Sequence, residues 1–170
     1  MSHERRLARV SLLAIPEVMV STLMGLYDVL NSLPLLATYG GVLPSRRLLE
    51  VEIVAPKAGS MSTASGLPLT AHKSIDQIET SDIVIIPSVM VAGGEWRRGR
   101  YPELVKWPLK LHAGGAQLCS TCSGVLLLAE TGLLDGKDAT IHWIYAPTFR
   151  RNFPKVRLRL QLIVLVCSVW

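Results

Sequence analysis

The sequence predicts an α/β fold of three layers, in which a mostly parallel sheet lies between helices on both of its faces. Two observations support this fold class. Short apolar runs that end near proline or glycine alternate along the chain with segments of helical periodicity, a pattern typical of parallel sheets covered by helices. Several runs are apolar throughout, as expected for strands buried on both faces. Ligands of such folds bind at the carboxyl ends of the strands.

The first half of the chain supplies two strands and a helix. Apolar runs at residues 10–15 and 49–55, each followed by a proline, are predicted to be strands. Between them, leucines at helical spacing predict a helix. We expect this helix to begin with Ser21 or Thr22 as its N-cap and to end at Pro34.

The middle of the chain adds a hairpin, a strand and a second helix. Residues 62–70 contain a Ser-Gly turn signal and are predicted to form two short strands outside the main sheet. Residues 82–86 are the third apolar strand. Residues 101–112 are predicted to form a helix that begins at Pro102 and is bent or shortened at Pro108.

The remaining elements surround a cysteine. A fourth strand precedes Cys122, and the apolar helix after it is predicted to close at Gly132. Residues 139–142 are predicted to be extended, and residues 143–152 are amphipathic enough for a last helix. An apolar, strand-like tail follows at residues 157–170.

Composition fits one globular domain. The chain has 170 residues, of which 49% are hydrophobic and 18% are charged, and this supplies a substantial core. Residues 1–9 carry no signal-peptide pattern, and the longest uncharged apolar stretch, at residues 160–170, is about half as long as a membrane-spanning helix. With three cysteines, we expect a cytoplasmic protein that makes no membrane contact.

The net charge of +5 comes from arginine and lysine clusters spread along the chain. Aromatic residues do not alternate with these clusters, and the sequence has no helix-turn-helix, zinc-finger or basic-zipper pattern. We therefore interpret the clusters as solvated surface.

Cys122 is the most informative residue. A Gly-Gly pair, a short strand-like run, Cys122-Ser123-Gly124 and an apolar helix follow one another, which predicts a sharp turn between strand and helix. Such a nucleophile elbow exposes one side chain at a helix N-terminus, where free N–H groups favour a thiolate. Gly124 fits this turn because strand and helix backbones come close together there.

Three other interpretations of Cys122 are open. A free cysteine often simply fills space in a core. Cys119 and Cys122 form a C-x-x-C spacing that could be a redox pair, although Cys119 falls within the predicted strand. Zinc is disfavoured, because three cysteines and four scattered histidines supply no second ligand pair at short spacing. We predict neither a metal nor a cofactor.

The block at residues 117–143 resembles a known family. Its motifs are Cys122-Ser123-Gly124, Leu128-Ala129-Glu130, Gly132-Leu133-Leu134-Asp135-Gly136 and Ala139-Thr140-Ile141-His142-Trp143. They are similar to the ThiJ/PfpI branch of the class I glutamine amidotransferase-like superfamily. More narrowly, the chain resembles the N-terminal ligand-sensing domain of many AraC-type transcription regulators. This resemblance implies a flavodoxin-like fold, a single domain over residues 1–170, a small-molecule effector and a homodimer. It also implies that DNA is bound only through a domain that this chain does not contain.

The resemblance also implies roles for individual residues. Cys122 takes the nucleophile position, and the Ser123 N–H contributes to an oxyanion site. His142 takes the position of a histidine near the thiol, where it would stabilise the thiolate or move its proton. Without the family, His142 beside Trp143 would be a packed or capping histidine.

Two departures from the family weaken an enzymatic interpretation. Thr22 stands where many members carry an acid that pairs with the cysteine, and Glu17 lies five residues too early to replace it. A hydroxyl cannot act as a carboxylate general base. Ser88 and Val89 replace a Gly-Gly pair that often forms part of the oxyanion site, and Val89 resists positive φ. Together with Ser123, residues Thr22, Ser88 and Val89 are the predicted ligand-binding residues.

Three functions are compatible with these features. The first is a sensing domain that binds an effector at the elbow without turnover, and the loss of the acid favours it. The second is a cysteine enzyme acting as an isonitrile hydratase, an amidase-like hydrolase or a glyoxalase-like enzyme. The third is a redox or stress sensor that responds through oxidation of Cys122.

The tail departs from the family most strongly. Family members continue after Val156 through polar turns into another strand and a final helix, whereas residues 157–170 are apolar here. This predicts an open face on one side of the sheet. We expect the tail to contribute to dimerisation, because it would otherwise expose a hydrophobic edge.

Overall fold

The computed structural model describes residues 6–36 and 48–162. The strands of this part of the chain are β1 (Ala8–Leu13), β2 (Leu49–Ala55), β3 (Gly59–Ser62), β4 (Pro68–Ala71), β5 (Lys73–Ser74), β6 (Ile83–Ile86), β7 (Gln117–Ser120), β8 (Asp138–Ala139) and β9 (Arg157–Leu158). Its α-helices are α1 (Val20–Leu36), α2 (Pro102–Ala113), α3 (Val125–Glu130) and α4 (Ala146–Asn152).

The main sheet has five parallel strands in the order β5-β2-β1-β6-β7. β3 and β4 form an antiparallel hairpin in a separate sheet, as the turn signal predicts. β8 and β9 form a third, two-stranded sheet. The predicted mostly parallel α/β fold is confirmed.

Successive residues of the strands face opposite sides of the sheet, so the core has two parts. On one face, Leu12 and Val51 pack with Leu23 of α1. On the other, Leu13 and Val84 belong to a larger cluster that contains side chains of α2, α3 and α4. Helices therefore cover both faces, which gives the predicted three layers.

Helix α1 differs from its prediction at both ends. Ser21 and Thr22 lie inside the helix rather than at its N-cap, because the Met19 carbonyl already accepts hydrogen bonds from the Thr22 and Leu23 N–H groups, both at 3.0 Å. Pro34 also lies inside the helix, which runs to Leu36. A proline so close to this end removes one hydrogen bond and leaves little helix after it to disturb.

The second half of the chain follows its predictions more closely. α2 begins at Pro102 as predicted, but Pro108 does not shorten it. The C-terminal tail is described only to Leu162, and residues 163–170 of the predicted strand-like segment lie outside the described residues. None of the described helices is long and apolar enough to span a membrane.

Candidate functional site

Cys122 lies in a strained turn between β7 and α3. Its φ is 47°, and it is the one non-glycine residue of the described chain with positive φ. A 3₁₀ turn at Cys122–Gly124 leads directly into α3. Such a conformation costs about 1–3 kcal/mol and is typical of functional sites. The Cys122 side chain is exposed, so the predicted elbow is confirmed in its backbone geometry.

Gly124 is required by the close approach of two backbones. A Cβ atom at this position would lie 2.3 Å from the Ile86 carbonyl oxygen and 2.5 Å from that of Pro87. Real Cβ atoms do not come this close to a backbone oxygen. The third residue of the elbow must therefore be glycine, for the packing reason inferred from the sequence.

Ser123 connects the elbow, through hydrogen bonds, to the loop that follows β6. Its side chain is buried, and its Oγ donates to the Val89 carbonyl at 2.7 Å while accepting from the Val89 N–H at 2.9 Å. The Val89 N–H is therefore already bonded and is not free to donate to an oxyanion. The adjacent Ser88 hydroxyl donates to the Thr121 carbonyl at 3.3 Å.

The segment before α1 is also bonded to the loop that follows β6. Val18 and Val89 form an antiparallel bridge, and the Met19 N–H donates to the Ser88 carbonyl at 2.8 Å. Thr22 lies one turn further on, with its N–H bonded to Met19. Of the predicted ligand-binding residues, the structure thus joins Ser88, Val89 and Ser123 directly and Thr22 through Met19. Their roles in binding stay predictions.

His142 caps its own turn. Its Nδ1 accepts from the Ile144 N–H at 3.3 Å, and its ring lies 5.3 Å from the Trp143 ring and 6.4 Å from the Tyr145 ring, between centroids. With Nδ1 as acceptor, a neutral ring carries its proton on Nε2. No hydrogen bond between His142 and Cys122 is present among the described residues, so their pairing also stays a prediction.

Glu17 holds the loop that precedes α2 in place through its side chain and its backbone. Its carboxylate accepts hydrogen bonds from the Arg100 guanidinium and from the Tyr101 hydroxyl, the latter at 2.5 Å. Its backbone carbonyl accepts from the Met90 N–H at 2.7 Å. One residue therefore holds both ends of the loop at residues 90–101. In the sequence Glu17 is recognisable only as a misplaced acid, because its partners are distant in sequence.

We expect the Tyr101 hydroxyl to ionise at an unusually high pH. Partial burial, followed by the bond to the Glu17 carboxylate, raises the pKa of Tyr101 from 10.0 to about 12. Because the folded-state pKa is raised, this group stabilises the fold below about pH 10, and its contribution is lost as the pH rises through about 12. The ultraviolet phenolate absorbance of the protein, minus that of Tyr101→Phe, should follow this titration. A difference signal that titrates near 10 would contradict it.

A second carboxylate holds the middle of the same loop, by hydrogen bonds, against α3, the helix that follows the elbow. Glu130, the last residue of α3, accepts from the Trp96 Nε1–H at 2.6 Å and from the Gly99 N–H at 2.8 Å. Ser123 thus binds Val89, immediately before this loop, and Glu130 binds the loop itself, from opposite ends of α3. The sequence offers no signal for these contacts beyond the presence of Glu130.

No disulfide joins Cys119 to Cys122. Both cysteines are free, and Cys119 lies in β7 as predicted. Burial raises the pKa of the Cys119 thiol, which disfavours its reactive thiolate. The reactive candidate of the two is therefore Cys122.

A cavity of 210 Å³ lies apart from the elbow, beside β2 and β5. Its charged groups are partly paired with each other, since Lys73 bonds Glu52 at 2.5 Å and Arg9 lies 3.7 Å from Glu50. The lining residues are Arg9, Glu50, Glu52, Lys73, Gln77, Ile78, Glu79 and Thr80. None of the predicted site residues lines this cavity.

A strained cysteine elbow at the carboxyl edge of a parallel α/β sheet places the exposed Cys122 thiol where ligands of such folds bind. Residues 8–155 match the model of the DJ-1/PfpI family. The chain therefore belongs to the DJ-1/PfpI family, which confirms the resemblance found in the sequence.

Individual relatives fall into two groups. The chain is 29% identical over 110 residues to the HTH-type transcriptional regulator CdhR of Pseudomonas aeruginosa, covering 65% of this chain and 32% of that regulator. It is 26% identical over 137 residues to the isonitrile hydratase of Pseudomonas putida, covering 81% of this chain and 53% of the hydratase. The chain thus spans about a third to a half of these relatives.

A solved structure supports the fold. An AraC family transcriptional regulator from Pseudomonas putida superimposes with a TM-score of 0.68 at 19% identity, covering 90% of this chain and 76% of the other. At this identity the likeness establishes the fold alone.

Proposed function

We propose that this chain is a small-molecule-sensing domain of an AraC-type transcription regulator, which binds an effector at the Cys122 elbow without converting it. The observation that carries the proposal is the reciprocal Ser123–Val89 hydrogen bonding. It places Val89, one of the two positions where family enzymes often have glycine, in a bonded and buried state. An oxyanion would have to break this pair to use the Val89 N–H, and the loss of an oxyanion donor costs about 10²–10³-fold in rate.

Like oxyanion binding, proton transfer at the Cys122 thiol has little support in the structure. Thr22 supplies a hydroxyl in place of the acid, and the Glu17 carboxylate is held by Arg100 and Tyr101. No described side chain hydrogen-bonds the Cys122 thiol. General acid–base catalysis typically contributes about 10²–10⁴-fold, so an elbow without it favours recognition over turnover.

Similarity to transcription regulators supports the proposal that this chain is one domain of such a regulator. CdhR, of which this chain covers 32%, is a transcriptional regulator. We propose that DNA is bound only by another domain of such a regulator and that the protein acts in the cytoplasm.

Turnover assays test the sensing proposal. We expect the wild-type chain to show no Cys122-dependent turnover of isonitrile, amide or glyoxal substrates, and Thr22→Glu to gain little because the Val89 N–H remains bonded. Small molecules that raise the melting temperature should protect Cys122 from iodoacetamide, with Cys122→Ser as the control for labelling. Wild-type turnover that Cys122→Ser abolishes would establish the enzyme instead. A peroxide response that depends on Cys122 would favour the redox sensor.

We also propose a homodimer formed through α1. Leu23 is the one fully buried residue among the described side chains of this helix, although most of its residues are apolar, and Val29 is exposed. Val29 and Leu35 are the large apolar side chains exposed on the described part of α1, and we propose that they contact the partner subunit. Light scattering should give the mass of a dimer at micromolar concentration, and Val29→Asp should give a monomer. A wild-type monomer would contradict the proposal.

A further inference from the structure

Two arginine pairs that are far apart in the sequence meet on one surface of the domain. The first pair, at residues 97–98, lies in the loop between β6 and α2, and the second, at residues 150–151, lies on α4. Asn152 joins the two segments. Its Nδ2 donates to the Trp96 carbonyl at 3.1 Å, and its carbonyl accepts from Arg98 Nη1 at 3.2 Å. The clusters that are separate in the sequence therefore form one charged surface.

This surface stays positive when its neighbouring carboxylates are counted. The loop at residues 90–101 and α4 together contain five arginines. Among the described residues, the carboxylates of Glu17, Glu95 and Glu130 bond to these two segments or lie within them. Five positive and three negative charges leave a formal charge of +2. Like charges that lie close together repel, and an anionic partner would replace this repulsion with attraction.

Two of the arginines are already held in place. The Arg98 guanidinium carbon lies 5.3 Å from the centroid of the Phe153 ring, and Arg151 bonds Glu95. A guanidinium has five N–H donors in a planar fork that matches a carboxylate, so both side chains keep donors for a further partner. Side chains that are ordered before binding lose less conformational freedom when a partner binds.

An exposed apolar pair lies at the start of the same helix. Trp143 is 69% exposed and Ile144 is 53% exposed, and the 3₁₀ turn that contains them leads directly into α4. Ile144, Pro147, Arg150 and Arg151 are all exposed, and their spacing is that of one helix face. The outer face of α4 is therefore apolar at its beginning and basic at its end.

This composition fits a protein partner better than a nucleic acid. Arginine and tryptophan are enriched at protein interfaces, where lysine is depleted, and both are frequent among the residues that dominate binding energy. Strong electrostatic binding to DNA uses about 6–10 phosphate contacts, whereas this surface presents two arginine pairs. From Ile144 to Arg151 the chain spans about 10 Å, a distance that about three residues of an extended peptide cover.

We propose that the outer face of α4, together with Arg97 and Arg98, binds an acidic segment of a partner protein. Carboxylates of this segment pair with the arginines, and apolar side chains about three residues away cover Trp143 and Ile144. The interaction does not depend on whether Cys122 senses a ligand or catalyses a reaction.

Fluorescence anisotropy with a labelled peptide tests this surface. The probe is fluorescein-labelled Leu-Leu-Gly-Ser-Glu-Glu-Glu-Glu, and the control peptide has glutamine in place of each glutamate. We expect the control peptide to bind at least about tenfold more weakly than the probe. The affinity for the probe should fall severalfold between about 50 mM and about 200 mM NaCl, because salt screens exposed charges.

Substitutions locate the binding to this surface. Arg97→Gln with Arg150→Gln should weaken binding of the probe about tenfold, and Trp143→Ala should weaken it by a similar factor. Lys57→Gln with Lys110→Gln is the matched control, because it removes the same charge from exposed positions outside this surface. The control should change the affinity less than about twofold. Urea denaturation checks that every variant is folded.

Four results would overturn the proposal. The first is a dissociation constant for the probe above about 1 mM at low salt. The second is an equal loss of affinity in the lysine control and the arginine variant, which would indicate attraction by net charge alone. The third is a DNA duplex of about 20 base pairs that binds more tightly than the probe, through the arginines but without Trp143. The fourth is a wild-type dimer that the arginine variant converts to a monomer in light scattering, which would assign the surface to contact between copies.

Discussion

Gly124→Ala should be among the most destabilising single substitutions in this domain. The added Cβ would lie 2.3 Å from the Ile86 carbonyl oxygen and 2.5 Å from that of Pro87. The first atom belongs to β6 and the second to the residue that follows it, and backbone atoms cannot move like the end of a flexible side chain. We expect a loss of about 3 kcal/mol in the free energy of unfolding, at the upper end for overpacking. Urea denaturation measures this difference.

Gly25→Ala is the matched control. Gly25 lies in α1, and a Cβ there would meet nothing within 4 Å. Alanine at an open helix position should stabilise the fold by about 0.5–1 kcal/mol. The same substitution should therefore have opposite signs at the two glycines. If Gly124→Ala unfolded at the same urea concentration as the wild type, the close approach at the elbow would be wrong.

Ser123→Ala should also be strongly destabilising. The change removes the hydroxyl of a residue that is 1% exposed and leaves both the N–H and the carbonyl of Val89 without this partner. An unsatisfied buried polar group costs about 1–3 kcal/mol, so we expect a total loss of about 3 kcal/mol. The freed loop should also change the rate at which iodoacetamide alkylates Cys122.

Ser88→Ala provides the comparison for Ser123→Ala. Ser88 is equally small and also buried, but its hydroxyl donates at 3.3 Å to a single carbonyl, that of Thr121. We expect a loss of about 1 kcal/mol, as is usual for one hydrogen bond. Urea midpoints that rank the two variants in the opposite order would show that the Ser123–Val89 pair does not secure the elbow.

Local patterns account for what could be predicted from the sequence. Strand β2 has the predicted bounds, because a proline marks its end. The predicted turn lies between β3 and β4, but β3 covers Gly59–Ser62 and so lies almost wholly before the predicted residues 62–70. The elbow and the need for Gly124 also followed from adjacent residues. The predicted bounds of helix α1 were wrong at both ends. The Met19 carbonyl accepts the first hydrogen bonds of the helix, and a proline near the C-terminal end does not stop it.

Contacts between distant segments could not be predicted in this way. Ser123 and Val89 are 34 residues apart, and Glu17 and Tyr101 are 84 apart. Each residue type has many possible partners, and no spacing rule connects them. The sequence therefore identified the thiol and the missing acid but not the hydrogen bonds that occupy Val89 and Glu17.

The assembly of the elbow from distant segments has a consequence for how the domain folds. Residues 17–19, 88–90 and 121–124 meet there, so closing the site requires contacts of high sequence separation, which slow folding. During synthesis the elbow cannot form until Gly124 has left the ribosome, by which time β1, α1, β2 and β6 have already emerged. The elbow is thus completed late, after most of the strands that support it have been synthesised.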